Sequence, residues 1–217
     1  MLPERDEQVR RTRATYDRIG RDYQVANAEI PDSVRDSMDR FQAALPLRAR
    51  VADVGCGPGR DLRELQRRGL VCVGFDLSFG MLSAATTTSS SDSGQAPSPF
   101  TVADMGALPV RAASLQGIWC AASLLHVPRD RTGSTLREFA RVLASHGIVH
   151  LSIAEGSDEG MRPARYGDGG PLWFVERTES EIGAALDAAG FEVHSIARSV
   201  SHRRWLTLLC SKGSHNG

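Results

Sequence analysis

Lysine is nearly missing from this chain: Lys212 is the one lysine among 26 basic residues, and these are balanced by 26 acidic ones. A chain with zero formal net charge has no overall field to draw in a nucleic-acid backbone or an anionic lipid surface. Long apolar runs are missing too. None approaches the ~18 residues of a membrane-spanning helix, and MLPERDEQVRRTR carries charges where a secretory leader has its apolar core. Cysteine is scarce. Cys56, Cys72, Cys120 and Cys210 are scattered, three of them inside apolar runs, which favours reduced core thiols over a disulfide framework or a zinc site. These absences predict a cytoplasmic protein, monomer or homodimer, with no metal and with neither membrane nor nucleic acid as partner. What remains, 217 residues without internal repeats, suits one sizeable α/β domain.

Residues from about Glu7 to Tyr23 alternate in charge and predict a helix with a solvated face. A second helix is expected from Asp32 or Ser33, with Val34, Met38, Phe41 and Leu45 on one side and Pro46 as its stop. Residues 1–46 therefore read as N-terminal helices covering a site, and 47–217 as the core. In the core, apolar strands RVADVGC (from Arg50), VCVGFD (from Val71), FTVAD (from Phe100), LQGIWCAAS (from Leu115) and IVHLSI alternate with helical segments. The helices are DLRELQRRG, closed by Gly69, and TLREFARVLASHG, expected from Thr135 to Gly147. Such alternation needs crossover connections and yields a parallel, doubly wound sheet. A capping box at Thr178 and Glu181 opens one more helix. FEVHSIARSV and RWLTLLCSK follow, joined by only a short loop around Ser201 to Arg203, so they must pair antiparallel. Two stretches read as irregular: the low-complexity insert 86–99 and the connection 154–176, which carries Arg162, Arg165, Tyr166, Trp173 and Phe174.

The chemistry starts at VADVGCGPGR. Glycines just after a first strand let backbone approach a ligand at the carboxyl end of the sheet. Asp76, nineteen residues after Gly57, ends the second strand where an acid can accept from ribose hydroxyls. The spacing is G-x-G-x-G rather than G-x-G-x-x-G, Pro58 removes an amide, and Asp53 sets a carboxylate beside the loop. All three disfavour a pyrophosphate and therefore an NAD-dependent dehydrogenase. A ribose and an ammonium group without phosphate describe S-adenosylmethionine.

With VGFDLSFGML, TVADMGALP, GIWCAASLLHVPR, RVLASHGIVHLSI, YDRIGRDY and RTESEIGAALDAAGFEV added in order, the chain resembles the class I S-adenosylmethionine-dependent methyltransferases over nearly its whole length. The resemblance implies a seven-stranded sheet of order 3-2-1-4-5-7-6 with strand seven reversed. It implies that Gly55 and Gly57 approach the methionine portion of the cofactor, with Asp53 supporting its amino group and Asp76 on the ribose. Leu77 and Met81 would pack on adenine, Asp104 and the Met105 amide would meet its edge, and Cys120 and Ala121 would offer backbone groups. Tyr23 would close over the carboxylate. As bare residues, Leu77 and Met81 are also ordinary core, and Asp104 an ordinary helix cap.

Methyl transfer asks mainly for positioning, and for a base where the nucleophile must lose a proton. His126, just after strand four, is the candidate base; capping the turn before Pro128 is its alternative role. Tyr16, Ser123, Arg165 and Trp173 are the candidate substrate contacts. The activity implied is methyl transfer to a small-molecule acceptor by in-line displacement. A non-catalytic subunit that binds S-adenosylmethionine, and a nucleic-acid methyltransferase, are the alternatives. The chain departs from the usual family pattern at Gln116, Val175 and Glu176.

Overall fold

The computed structural model describes residues 2–86 and 99–213, so nearly all of the insert expected at 86–99 lies outside the described residues. The elements run α1 (Leu2–Ala26), α2 (Asp32–Ala43), β1 (Arg50–Val54), α3 (Arg60–Arg67), β2 (Val71–Asp76), α4 (Phe79–Thr86) and β3 (Phe100–Val102). They continue with β4 (Leu115–Ala121), α5 (Thr132–Val142), β5 (Leu143–Ala154), β6 (Glu159–Pro163), β7 (Pro171–Val175), α6 (Glu179–Ala188), β8 (Phe191–Val200) and β9 (Arg204–Lys212). Seven strands form one sheet ordered β3-β2-β1-β4-β5-β9-β8, in which β9 runs antiparallel to both neighbours. With the separate β6–β7 hairpin set aside, this is the expected 3-2-1-4-5-7-6 order.

Both faces of the sheet are covered, which is why its central strands are apolar without a polar side. Alternate residues enter opposite cores. Ala52, Ile118, Cys120 and Val149 join Leu136 and Phe139 of α5 and Ile182 and Leu186 of α6. Val51, Trp119 and Ile148 join Leu62 and Leu65 of α3 and Met38 and Phe41 of α2. All four cysteines are free and buried, as the sequence predicts. Thus α2 belongs to the core, whereas α1 lies over the carboxyl ends of the strands. Two glycines permit that placement: a Cβ on Gly20 would sit 2.7 Å from the carbonyl oxygen of Gly80, and one on Gly80 would sit 2.2 Å from that of Asp17. The backbones of α1 and α4 therefore touch, and Asp17 accepts from the Ser78 hydroxyl (2.7 Å) and the Gly80 amide (2.9 Å).

Two expectations are corrected. The helix expected to run to Gly147 stops at Val142, because the carbonyls of Arg141 and Val142 accept from the amides of Ala113 and Ser114 (both 2.9 Å). Leu143 is then paired with Leu115, and residues 144–147 bulge before Ile148 pairs with Gly117. The connection 154–176 is not irregular either. It folds into the β6–β7 hairpin, with Glu159 opposite Val175 and Pro163 opposite Pro171.

Candidate active site

A cavity of about 1070 Å³ opens over the carboxyl ends of β1, β2 and β4, beneath α1. Its floor is the glycine loop. Gly55 has φ +74°, and a Cβ there would lie 2.2 Å from the Ser123 Cβ, so the turn after β4 is packed directly on the loop. Asp76 ties the loop to β2: its Oδ2 accepts from the Gly57 amide and its Oδ1 from the Ser78 amide, each at 2.8 Å. Asp53, only 2 % exposed, lines the cavity with a buried Oδ2 that has no partner. Burial first, then the neighbouring Asp61 and Asp76 carboxylates, push its carboxyl well above the usual range. Buried polar atoms are ordinarily paired, so this orphan oxygen invites a donor from a ligand.

Leu77, Met81, Asp104, Met105 and Ala121 line the same cavity, as do Tyr23, Tyr16, Arg165 and His126. The Met81 methyl rests beside Gly57, and Asp104 accepts from the Gly106 amide at 2.8 Å in a local turn. Burial raises the Tyr23 hydroxyl to about 12.

Of the remaining expected positions, Ser123 lines the cavity and Cys120 and Trp173 do not. The Cys120 side chain lies in the core, where burial raises its thiol to about 11. Ser123 borders the cavity, and its hydroxyl donates to the Val54 carbonyl at 2.8 Å and touches the Cys120 sulfur, which fastens the loop to the turn after β4. Trp173 does not line the cavity. It contributes through its backbone: its amide donates to the Thr12 hydroxyl and its carbonyl meets His126 Nδ1, both at 2.7 Å.

That carbonyl decides the state of His126. A carbonyl only accepts, so Nδ1 carries the proton and Nε2 is left as an acceptor. The partner of Nε2 is the Tyr16 hydroxyl at 2.7 Å. Burial, and secondarily the charge of Arg203, lower the imidazole to about 4, so it is neutral near pH 7.

The sheet order and this cavity can now be set beside known proteins. Residues 51–147 match the methyltransferase domain family. The chain is 31% identical over 138 residues to a malonyl-[acyl-carrier protein] O-methyltransferase of Enterobacter lignolyticus, covering 63% of this chain and 50% of that protein. It is 35% identical over 155 residues to the methyltransferase GfsG of Streptomyces halstedii, covering 70% and 48%. Residues 51–147 carry a methyltransferase domain, and the chain has the fold of the class I S-adenosylmethionine-dependent methyltransferases. The chain spans about half the length of the curated relatives it matches. In three dimensions the 1,6-didemethyltoxoflavin-N1-methyltransferase of Burkholderia thailandensis superposes with a TM-score of 0.72 at 22% identity, covering 97% of this chain and 90% of that one. A methyltransferase of Methanosarcina mazei gives 0.70 at 19% identity, covering 80% and 97%.

Two groups beside the site carry no role in the sequence reading. Asp61, in the first turn of α3, accepts from the Trp119 indole (3.0 Å) and from Arg60 Nε (2.7 Å), and Arg60 also reaches the carbonyls of Asn27 and Glu29 between α1 and α2. Its place directly after the glycine loop was the available signal. Arg177 is 1 % exposed, and among the described residues it makes no ion pair. Instead it donates to the carbonyls of Leu124 (3.3 Å) and Val127 (2.8 Å), on either side of His126, and to the Thr132 hydroxyl (2.7 Å). Burial lowers it to about 10. It stands beside the helix cap Thr178, and nothing in the sequence marks it as buried. Among the described residues no cluster of His, Cys, Asp and Glu could hold a metal ion, and no helix is long and apolar enough to cross a membrane.

Proposed function

We propose that this chain binds S-adenosylmethionine and transfers its methyl group to a small-molecule acceptor, with Tyr16 and His126 as the proton-accepting pair. The supporting observation is one continuous cavity that holds an orphan carboxylate oxygen on the glycine loop at one side and the Tyr16–His126 pair at the other. Asp53 suits the cofactor's ammonium group, Asp76 its ribose, and Leu77 and Met81 the adenine faces, while the close-packed Gly55 keeps the loop low enough to admit it. Asp104 and Met105 border the adenine end, and Ala121 and Tyr23 the amino-acid end.

Bound S-adenosylmethionine would supply a methyl carbon made electrophilic by its sulfonium. The rest falls to the protein. An acceptor hydroxyl or amine, hydrogen-bonded to the Tyr16 oxygen, gives up its proton there as Tyr16 passes its own to His126 Nε2. The new imidazolium charge is then stabilised through Nδ1–H by the Trp173 carbonyl. Placing a proton on a group with pKa about 4 at pH 7 costs about 4 kcal/mol. The transfer must therefore accompany bond formation to carbon, where the acceptor's acidity rises steeply. Calorimetric titration tests the cofactor assignment: S-adenosylhomocysteine should bind and NAD should not, and tight NAD binding would overturn it.

A further inference from the structure

Two arginine-bearing segments distant in sequence, which carry the wall residues Arg165 and His202, come together at the rim of the cavity. Phe174 of β7 receives one guanidinium from each: Arg203, before β9, lies 4.0 Å from the ring centroid, and Arg162, on β6, lies 5.4 Å from it. Arg162 is neutralised by Asp158 (3.1 Å) and Glu176 (3.4 Å). Arg203 and Arg165 are not: among the described residues neither guanidinium has a hydrogen-bond or ion-pair partner, and Arg203 Nε is buried without one. Arg165, His202 and Trp205 line the cavity, His202 standing edge-on to Trp205 at 5.9 Å. The cations act on one another. Burial first, then the charges of Arg165 and Arg203, push His202 down, and Arg203 is pushed down by burial and then by Arg162 and Arg165. Half-buried Arg203, with only the charge of Glu176 acting in its favour, is a costly cation unless a ligand supplies a partner.

We propose that this rim is the anion subsite of the methyl acceptor. The acceptor is a small organic molecule bearing a carboxylate or phosphate, held by Arg165 and Arg203, whose nucleophilic atom reaches inward to Tyr16. Guanidinium is the side chain best shaped for such oxyanions. Phe174, beneath Arg203, stands edge-on to His126 with centroids 5.9 Å apart, which places the subsite within a small molecule's length of the proton-accepting pair. The 1070 Å³ of the cavity exceeds the span of ordinary ligand pockets and leaves room for cofactor and acceptor together. This inference rests on the methyl-transfer reading and names its substrate class.

The test titrates the full chain, saturated with S-adenosylhomocysteine, with benzoate, phenyl phosphate and neutral benzamide, followed by ligand-observed NMR. At least one of the two anions should bind about tenfold or more tightly than benzamide, and which one does so separates carboxylate from phosphate. Arg165→Ala, at an exposed position that the fold tolerates, should remove about that preference and Arg165→Glu should reverse it, while S-adenosylhomocysteine affinity holds. Arg203→Ala should weaken the same anion. Equal binding of benzamide, or anion affinity unchanged in the Arg165 variants, overturns the subsite. If S-adenosylhomocysteine itself fails to bind, the methyl-transfer reading falls, and the same titrations on the unloaded chain still decide the anion subsite.

Discussion

Tyr16→Phe removes one oxygen atom and nothing else from the proton-accepting pair. The ring stays edge-on to His126, with centroids 5.2 Å apart, and edge-on to Tyr23 at 6.1 Å. What changes is that Nε2 loses its donor at 2.7 Å. Leaving a part-buried acceptor unsatisfied costs about 1–3 kcal/mol, so the variant should fold with a lowered melting temperature. A hydrogen bond donated to the neutral ring disfavours its protonation, so its loss should move His126 upward from about 4 toward the ordinary 6.5. Nitrogen-detected NMR across a pH titration reads both effects. In the wild type the ring should stay a single tautomer, protonated at Nδ1, down to about pH 5; in the variant the imidazolium should appear at higher pH. Turnover of labelled methyl groups on a phenol or amine panel should fall by about 10²-fold or more, the usual share of a proton acceptor. Because the pair acts as a unit, adding His126→Ala to Tyr16→Phe should cost little beyond either change alone. A wild-type ring titrating near 6.5, or Tyr16→Phe turning over at full rate, would refute the pairing.

Arg177→Met should lower stability by roughly 2 kcal/mol or more, since the carbonyls of Leu124 and Val127 lose their donor, and His126 should broaden in NMR while S-adenosylhomocysteine affinity changes little. Asp53→Asn should weaken S-adenosylhomocysteine binding more than tenfold by calorimetry, the loss expected of a charge-assisted contact of about 1.5–3 kcal/mol. The same variant should be the more stable protein at pH 7. A carboxyl raised by burial opposes folding when ionised, so the gain should shrink as the pH falls and vanish well below 3.8, where the wild-type acid is protonated in both states. Gly55→Ala should fail to fold in thermal melts, because its Cβ would meet the Ser123 Cβ at 2.2 Å; Ser123→Gly in the same chain should restore folding apart from the ~1 kcal/mol strain of a non-glycine residue at φ +74°. Lowering the pH from 6.5 to about 4 should destabilise the wild type by about 3 kcal/mol through His126 alone, since the unfolded chain takes up the proton first and the folded ring resists it. His126→Gln should flatten that part of the stability curve.

The strand order was legible because local rules and the global fold agree here. The apolar runs from Val51 and Ile118 are continuous because both faces are buried, and the tight loop at Ser201–Arg203 forces β8 and β9 to pair antiparallel. The glycine loop was legible for the same reason: Gly55, Gly57 and Asp76 stand at fixed spacing and meet through one 2.8 Å bond. What stayed hidden was decided by distant partners. Leu143 continues the helical spacing of Leu136 and Phe139, yet the amides of Ala113 and Ser114 take the carbonyls a longer helix would need. EGMRP has no β-branched residue to mark it as a strand, and it becomes β6 only against PLWFV.

The pairing of Tyr16 with His126 shows why candidate residues can be named from sequence while their chemistry cannot. Both stood among the candidates, 110 residues apart. Their contact depends on α1 crossing α4 at Gly20 and Gly80, on the Thr15 hydroxyl reaching the Pro171 carbonyl at 2.8 Å, and on Arg177 holding the turn from beneath. Once these are in place, the tautomer follows from elementary rules, because the Trp173 carbonyl can only accept. In the proposed mechanism the base expected at His126 is therefore half of a pair whose other member is a tyrosine on α1. Residues 1–46 thus do more than cover the site: they carry the hydroxyl that an acceptor would meet first.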